Sequence, residues 1–417
     1  MDSSLSLCRL LEPEVMAAPY HLYRALRESD PVFWDPFLHA WAVTRYADVV
    51  TVLQSFSADR TLTEEQLTSM GLEALIPIVQ VMKRQMLFRD PPYHSRLRSL
   101  CAAAFTPSRV AVLRTRIQDI VNGLINRFID KGTADIVADL AALMPAIVTA
   151  EMLGVPVEDH ESLKKWSLDF AEILGNFQHN PDRIVRVLQS VEEMTVYFRA
   201  AIHRQKTHPS EGLVHALTAA AADGAHLTEE EIIANCVLTM IGGQETTTNL
   251  IGSGVLTLLR HPEQMRMLLD EPTLISSAVE ELLRFESPIQ HTARVAYEDV
   301  TLGGKRILRG QSVVAVIAAG NRDPERFSDP DTLDLRRTDN RHLAFGWGAH
   351  YCFGAPLARM EGQIALGTLL RRLRNLELAS DKIVWHENLG LRGLVALPVR
   401  FDPGPNIPVD SQLGFIN

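Results

Sequence analysis

Between Val110 and Gln205 apolar residues recur at helical spacing, as in Val112, Ile117, Ile120, Val121, Leu124 and Phe128. That periodicity predicts a middle dominated by helices. Short β-like segments flank it: Phe33–Val43 early, then Arg294–Leu302 and Arg306–Val316 with Gly303-Gly304 between them, then Gly393–Phe401. Beyond Asp402 the chain carries three prolines and no periodicity, which predicts an extended tail over 403–417. No repeat, low-complexity tract or Gly/Ser linker offers a place to divide it, so 1–417 reads as a single, mainly α domain with a small β region.

The longest helical pattern opens at Thr228, where Thr-Glu-Glu-Glu places a hydroxyl at the N-cap and Glu231 three residues on, the arrangement of a capping box. It runs to Leu259 and is stopped by Arg260-His261-Pro262. About 30 residues at 1.5 Å each would cross a whole domain. In its middle stands Gly242-Gly243-Gln244-Glu245-Thr246. Each glycine costs a helix interior about 1 kcal/mol relative to alanine. Either helices pack closely there, or a ligand lies against bare backbone beside an acid and a hydroxyl.

Composition narrows the function. With 41 Lys+Arg against 51 Asp+Glu the formal charge is −10, which argues against a protein that wraps nucleic acid. No apolar stretch approaches the roughly 20 residues of a membrane span, and no signal peptide is evident. Cys8, Cys101, Cys236 and Cys352 show no paired spacing. A disulfide framework or zinc knuckle is not suggested, and a reducing cytoplasm is expected.

The densest chemical signal is Phe345-Gly346-Trp347-Gly348-Ala349-His350-Tyr351-Cys352-Phe353-Gly354, followed by Ala355-Pro356. Three glycines let the chain turn around one cysteine, and Pro356 suits the first turn of a following helix. A cysteine at a helix N-terminus is favoured as thiolate, the form that binds a metal.

This run resembles the haem-binding signature of the cytochrome P450 family, F-G-x-G-x-H-x-C-x-G, at every fixed position. The resemblance implies the P450 fold in its soluble bacterial form and makes Cys352 the thiolate ligand of the iron of haem b. Phe345, Gly346, Gly348, His350 and Gly354 become its cofactor-binding loop. Other segments resemble family motifs in the same order. Asp90-Pro91-Pro92-Tyr93-His94-Ser95-Arg96-Leu97-Arg98 implies that His94 and Arg98 hold haem propionates, with Arg294 and His342 at the other propionate positions. Glu281 and Arg284 resemble the E-x-x-R ion pair. Leu333-Asp334-Leu335-Arg336-Arg337 resembles the segment that supplies a third member, Arg337, although Leu333 replaces the usual Phe and leaves Arg336 as an alternative. Gly242 and Gly243 would let dioxygen and substrate approach, while Thr246 and Glu245 would form the catalytic proton relay.

The implied activity is monooxygenation: one oxygen atom of O2 enters an organic substrate and the other leaves as water. The chain has neither a dinucleotide fingerprint nor an iron–sulfur cysteine cluster. NAD(P)H would therefore act indirectly, through ferredoxin and ferredoxin reductase, with Arg96, Arg109 and Arg359 as the docking face that the resemblance implies. Two alternatives are a peroxide-driven peroxygenase or decarboxylase, which would not need the Glu245–Thr246 relay, and a non-catalytic haem sensor. The segments that the family places over the haem supply Ile76, Ile78, Val79, Met82, Val237, Met240, Ile241, Ile289 and Leu394. This aliphatic set favours a bulky apolar, natural-product-like substrate (macrolide, polyketide, terpenoid or fatty acyl) hydroxylated at an aliphatic carbon, with Gln290 and His291 to orient a polar group.

Overall fold

The computed structural model describes residues 6–102, 105–174, 181–222, 224 and 227–408. Its axis is the helix Glu229–Arg260, here the central helix. The expected capping box is present: Glu231 N–H donates to Thr228 Oγ1 at 3.1 Å, and Thr228 N–H donates to Glu231 Oε2 at 2.9 Å. Thirty-two residues make this helix about 48 Å long.

Two apolar cores meet on it. Ile232, Ile233, Cys236, Val237, Met240 and Ile241 are buried with the helices His160–Ala171 and Pro181–Thr207. Leu250 to Leu258 are buried with Pro107–Asn126, Ile275–Phe285 and Ala355–Arg372. The glycine-acid-hydroxyl stretch falls between them and belongs to neither core.

Nine short strands occur among the described residues: β1 (Val32–Asp35), β2 (Ala40–Val43), β3 (Thr133–Asp135), β4 (Thr292–Val295), β5 (Val300–Leu302), β6 (Lys305–Ile307), β7 (Ser312–Ala315), β8 (Arg374–Leu378) and β9 (Pro398–Asp402). They form one sheet in the order β1-β2-β7-β4, a second in the order β3-β9-β8, and the hairpin β5-β6. Only β2 and β7 pair in parallel.

Each long predicted strand is broken by local turn chemistry. Phe33–Val43 is a hairpin, because the Asp35 carboxylate accepts from Phe37 N–H at 2.9 Å and Leu38 N–H at 3.2 Å and His39 takes a left-handed φ of 47°. Arg294–Leu302 and Arg306–Val316 each divide between the first sheet and the hairpin, whose turn is Gly303-Gly304. Gly393–Phe401 is strand only from Pro398, since Gly393 packs so tightly on the central helix that a Cβ there would lie 1.8 Å from Asn249 Oδ1. β3 was not expected inside the helical middle; it pairs with β9. Residues 403–408 are extended as predicted, and 409–417 lie outside the described residues.

Candidate functional site

Cys352 stands three residues before the helix Ala355–Arg372, which carries Pro356 in its first turn. Gly346 and Gly348 have φ of +72° and +68°, the left-handed region that makes glycine necessary at those turns. Cys352 N–H donates to Phe345 O at 2.9 Å, closing the loop. Burial pushes the thiol up from its ordinary value, while backbone amides of Gly354 and Ala355 and the nearby Arg98 and Arg359 pull the other way. A metal ion bound at Sγ would tip this balance toward the thiolate. No cluster of three or more His, Cys, Asp or Glu side chains that could hold a bare metal occurs among the described residues. A metal at Cys352 must arrive with its other donors.

Beside this loop the rings of His94 and His350 stack with centroids 4.0 Å apart. His94 Nδ1, His350 Nε2 and Arg294 Nε are buried without a hydrogen-bond partner. Burial lowers the affinity of His94 for a proton and pushes Arg294 down to about 10. The orphaned Arg294 guanidinium nitrogen, beside two orphaned imidazole nitrogens, fits an anionic group such as a pair of propionates. Arg98 reaches the same loop, donating from Nη2 to Tyr351 O at 2.6 Å.

His342 is elsewhere: Nδ1 accepts from Ala344 N–H at 3.2 Å, and Nε2 lies 3.2 Å from Glu280 Oε2. With both nitrogens engaged it has no donor left for a propionate. The histidine that shares the wall with His94 is His350, which the sequence reading had placed only in the loop.

On the central helix, Gly242 is exposed and a Cβ there would meet nothing within 4 Å. A Cβ at Gly243 would lie 2.9 Å from Thr149 Oγ1. The pair thus divides: Gly242 opens a surface, whereas Gly243 permits close packing on the helix Leu143–Leu153. Thr246 Oγ1 donates to Gly242 O at 2.8 Å. Burial pushes the Glu245 carboxyl up to about 7. Just beyond, a Cβ at Gly362 would lie 3.0 Å from Leu250, so the helix led by Cys352 lies against the central helix next to this stretch.

At about 100° per residue, Val237 and Met240 point roughly 140° and 160° away from Gly242. Both are buried in the core, as is Ile241, whereas half-buried Leu238, four residues before Gly242, lies on nearly the same side of the helix as Gly242. That i−4 spacing was visible in the sequence.

Ile78 is also core, with half-buried Val79 beside it and half-buried Met82 packed on the same cluster. Gln290 is committed to the fold: Oε1 accepts from Tyr23 OH at 2.9 Å, and Nε2 donates to Ser287 O at 2.7 Å. It cannot orient a substrate. Ile289 and His291 alternate to the other side of the extended chain. His291 is buried, hydrogen-bonded to the backbone of Leu389, and pushed down to about 4 by burial. Leu394 is buried in the other core against the central helix at Gly252. Leu391, bridged to Ile289 and half-buried at the edge of the Ile232–Ile241 core, replaces it. No local pattern marked Leu391.

Glu281 and Arg284 form a fully buried bidentate pair, with both N–O distances 2.8 Å. Arg337 Nε joins at 3.2 Å, whereas Arg336 pairs with Glu271 at the surface. Arg337 is therefore the third member. Of the arginines considered for docking, Arg96 is paired with Glu231 at 2.6 Å and Arg359 with Glu280 at 2.7 Å; the Arg109 side chain lies outside the described residues.

A family model for cytochrome P450 matches residues 21–401. The chain is 37% identical over 393 residues to the biotin biosynthesis cytochrome P450 of Bacillus subtilis, covering 93% of this chain and 98% of that protein. It is 36% identical over 403 residues to the cytochrome P450 monooxygenase PikC of Streptomyces venezuelae, covering 94% of each. Among solved structures it is similar to P450BioI in complex with a hexadec-9Z-enoic acid ligated acyl carrier protein, with a TM-score of 0.87, 37% identity, and coverage of 94% of this chain and 100% of that one. The chain belongs to the cytochrome P450 family, and its relatives are bacterial monooxygenases, oxidoreductases whose family implies haem-thiolate iron. No helix among the described residues is long and apolar enough to cross a membrane.

Proposed function

We propose that this chain hydroxylates an aliphatic carbon of a bulky apolar substrate, a macrolide, polyketide, terpenoid or fatty-acyl compound, with electrons from NAD(P)H delivered by ferredoxin and its reductase. One observation carries the reading: a half-buried thiol in a glycine turn, with backbone amides directed at its sulfur, stands beside the orphaned polar atoms of His94, His350 and Arg294, and the helix after it packs on the central helix at Leu250, just past the Gly242–Thr246 stretch. Haem bound at Cys352 supplies the oxygen-activating chemistry. His94, His350, Arg98 and Arg294 would hold its propionates. Gly242 leaves room at the backbone. Leu238, Met82, Ile289 and Leu391 would shape an apolar wall, with His291 as the polar group facing it.

Two arms test the substrate class. Macrolides, polyketides, terpenoids and fatty acyls should produce the low-to-high-spin shift at lower concentration than small planar aromatics. His291→Ala should change affinity or product position for at least one of them. Tighter binding of planar aromatics, with no effect of His291→Ala, contradicts the assignment. Turnover with added ferredoxin and reductase separates a monooxygenase from a haem sensor.

Glu245 and Thr246 handle protons. A carboxyl raised to about 7 is protonated below that pH and can donate; above it the group is ionised and cannot. Product formed per NAD(P)H should therefore fall as pH rises through about 7, and Glu245→Gln should abolish that dependence. Thr246→Ala should retain haem and substrate but lower coupling by roughly an order of magnitude, diverting electrons to peroxide or water. Unchanged coupling in both variants removes the relay and favours the peroxide-driven alternative.

A further inference from the structure

Arg60 lies in no motif that pointed to the site, yet the fold delivers it there. Ser57 and Val295 exchange backbone hydrogen bonds of 2.8 and 2.9 Å, an isolated bridge that joins Ser57 to the last residue of β4, the strand of Arg294. Asp90 also fixes Ser57 and its neighbour Ala58. Its carboxylate accepts from Ser57 Oγ at 2.5 Å and from Ala58 N–H at 2.9 Å, at the start of the turn that leads to His94.

The Arg60 guanidinium rests over the Phe88 ring, 4.4 Å from its centroid, and donates from Nη1 to Ala58 O at 3.1 Å. It forms no ion pair among the described residues, since the adjacent Asp59 carboxylate is taken by Arg89 at 3.3 Å. The Arg60 charge opposes those of Arg294 and His350. Burial pushes Arg60 down to about 9.

Arg294 is no better compensated. Its Nη1 reaches only the Thr292 hydroxyl and the Ala293 carbonyl, and its Nε is orphaned. Asp90 is the acid whose charge favours it, and that carboxylate already accepts hydrogen bonds from Ser57 and Ala58. Beside the single Asp90 carboxylate, two guanidinium groups and two histidines share this wall, and a further anion would offset their desolvation and mutual repulsion. One arginine and the histidines match one carboxylate; a second arginine matches a second.

We propose that Arg60 is a carboxylate-binding residue of this wall, an additional anchor beyond those the motifs supply, and that the carboxylate is a propionate of the bound haem. The inference rests on the haem-thiolate reading. A substrate carboxylate has the same chemistry, and the experiment distinguishes the two sources.

The test uses the holoenzyme and two variants. Arg60→Gln keeps the stem over Phe88 and removes the charge; Arg60→Lys keeps the charge without the planar fork. Two quantities are read: the rate of haem transfer to apomyoglobin, and the ratio of dissociation constants for a long-chain fatty acid and its methyl ester in the spin-shift titration. A charge-assisted hydrogen bond lost from a propionate should speed haem loss roughly ten- to hundredfold in Arg60→Gln, with Arg60→Lys between it and the native protein and the acid-to-ester ratio unchanged. Unchanged haem loss with a comparable fall in preference for the acid assigns the same residue to a substrate carboxylate. If neither quantity moves by more than twofold in Arg60→Gln, the proposal is overturned. The carbon monoxide spectrum of the unsubstituted protein reports the haem-thiolate reading separately, so its failure is not confused with that of Arg60.

Discussion

Glu281→Ala is expected to cost about 3–5 kcal/mol, the loss seen when one partner of a buried ion pair is removed. Against a total stability of about 5–15 kcal/mol, that should abolish or nearly abolish the folded state. Glu281 and Arg284 have no exposed side-chain surface. The carboxylate receives Arg284, Arg337, Asn340 Nδ2 at 3.1 Å and the Asp334 amide at 3.0 Å. Arg284 spends its remaining donors on the carbonyls of Asn321, Pro330 and Thr332. Without Glu281 two arginines are left in the interior with backbone carbonyls and no charge. The surface pair of Arg336 with Glu271 is the control: both side chains are about half-exposed, and Arg336→Ala should change stability by less than about 1 kcal/mol. Urea unfolding midpoints of the two variants decide the matter. A Glu281→Ala loss as small as that of Arg336→Ala would show that the triad does not organise the segment before the cysteine loop.

How much of this was legible beforehand depended on whether the signal was local. The capping box at Thr228 and the proline after Cys352 are short-range chemistry, and both helices begin where those residues place them. The family motifs carried the buried pair Glu281–Arg284 and the neighbourhood of His94 and Arg294, but pointed to His342 rather than His350 as the histidine beside them. Strand lengths were misread because hydrophobic runs do not reveal that Asp35 or Gly303-Gly304 ends a strand.

The pocket was the least legible part. Val237 and Met240 are as apolar as Leu238, and only their angle about the helix, measured from Gly242, separates core from cavity. Gln290 looked like an orienting group until its amide was seen bonded to Tyr23 and Ser287. His342 and Arg60 show the same limit from opposite sides. A motif position placed His342 at a propionate although Glu280 holds it, and nothing in the local sequence announced that Arg60 would be carried to Arg294 by a bridge between Ser57 and Val295.

The ligand role of Cys352 is the claim on which the site depends. The other cysteines offer poor rivals. Burial pushes Cys101 up to about 12 and Cys236 well above its ordinary value, and both are packed in the Ile232–Ile241 core. Cys8 belongs to the 3-10 turn Leu7–Leu11 at the N-terminal edge. Cys352 alone sits in a glycine turn with backbone amides directed at its sulfur. The decisive measurement is the absorption spectrum of the reduced protein under carbon monoxide, taken for the native chain and for Cys352→His. The native protein should show the red-shifted Soret band of thiolate ligation, and Cys352→His should lose it while Cys8→Ser, Cys101→Ser and Cys236→Ser keep it. Retention of the band in Cys352→His, or its loss in any of the other three, would contradict the assignment.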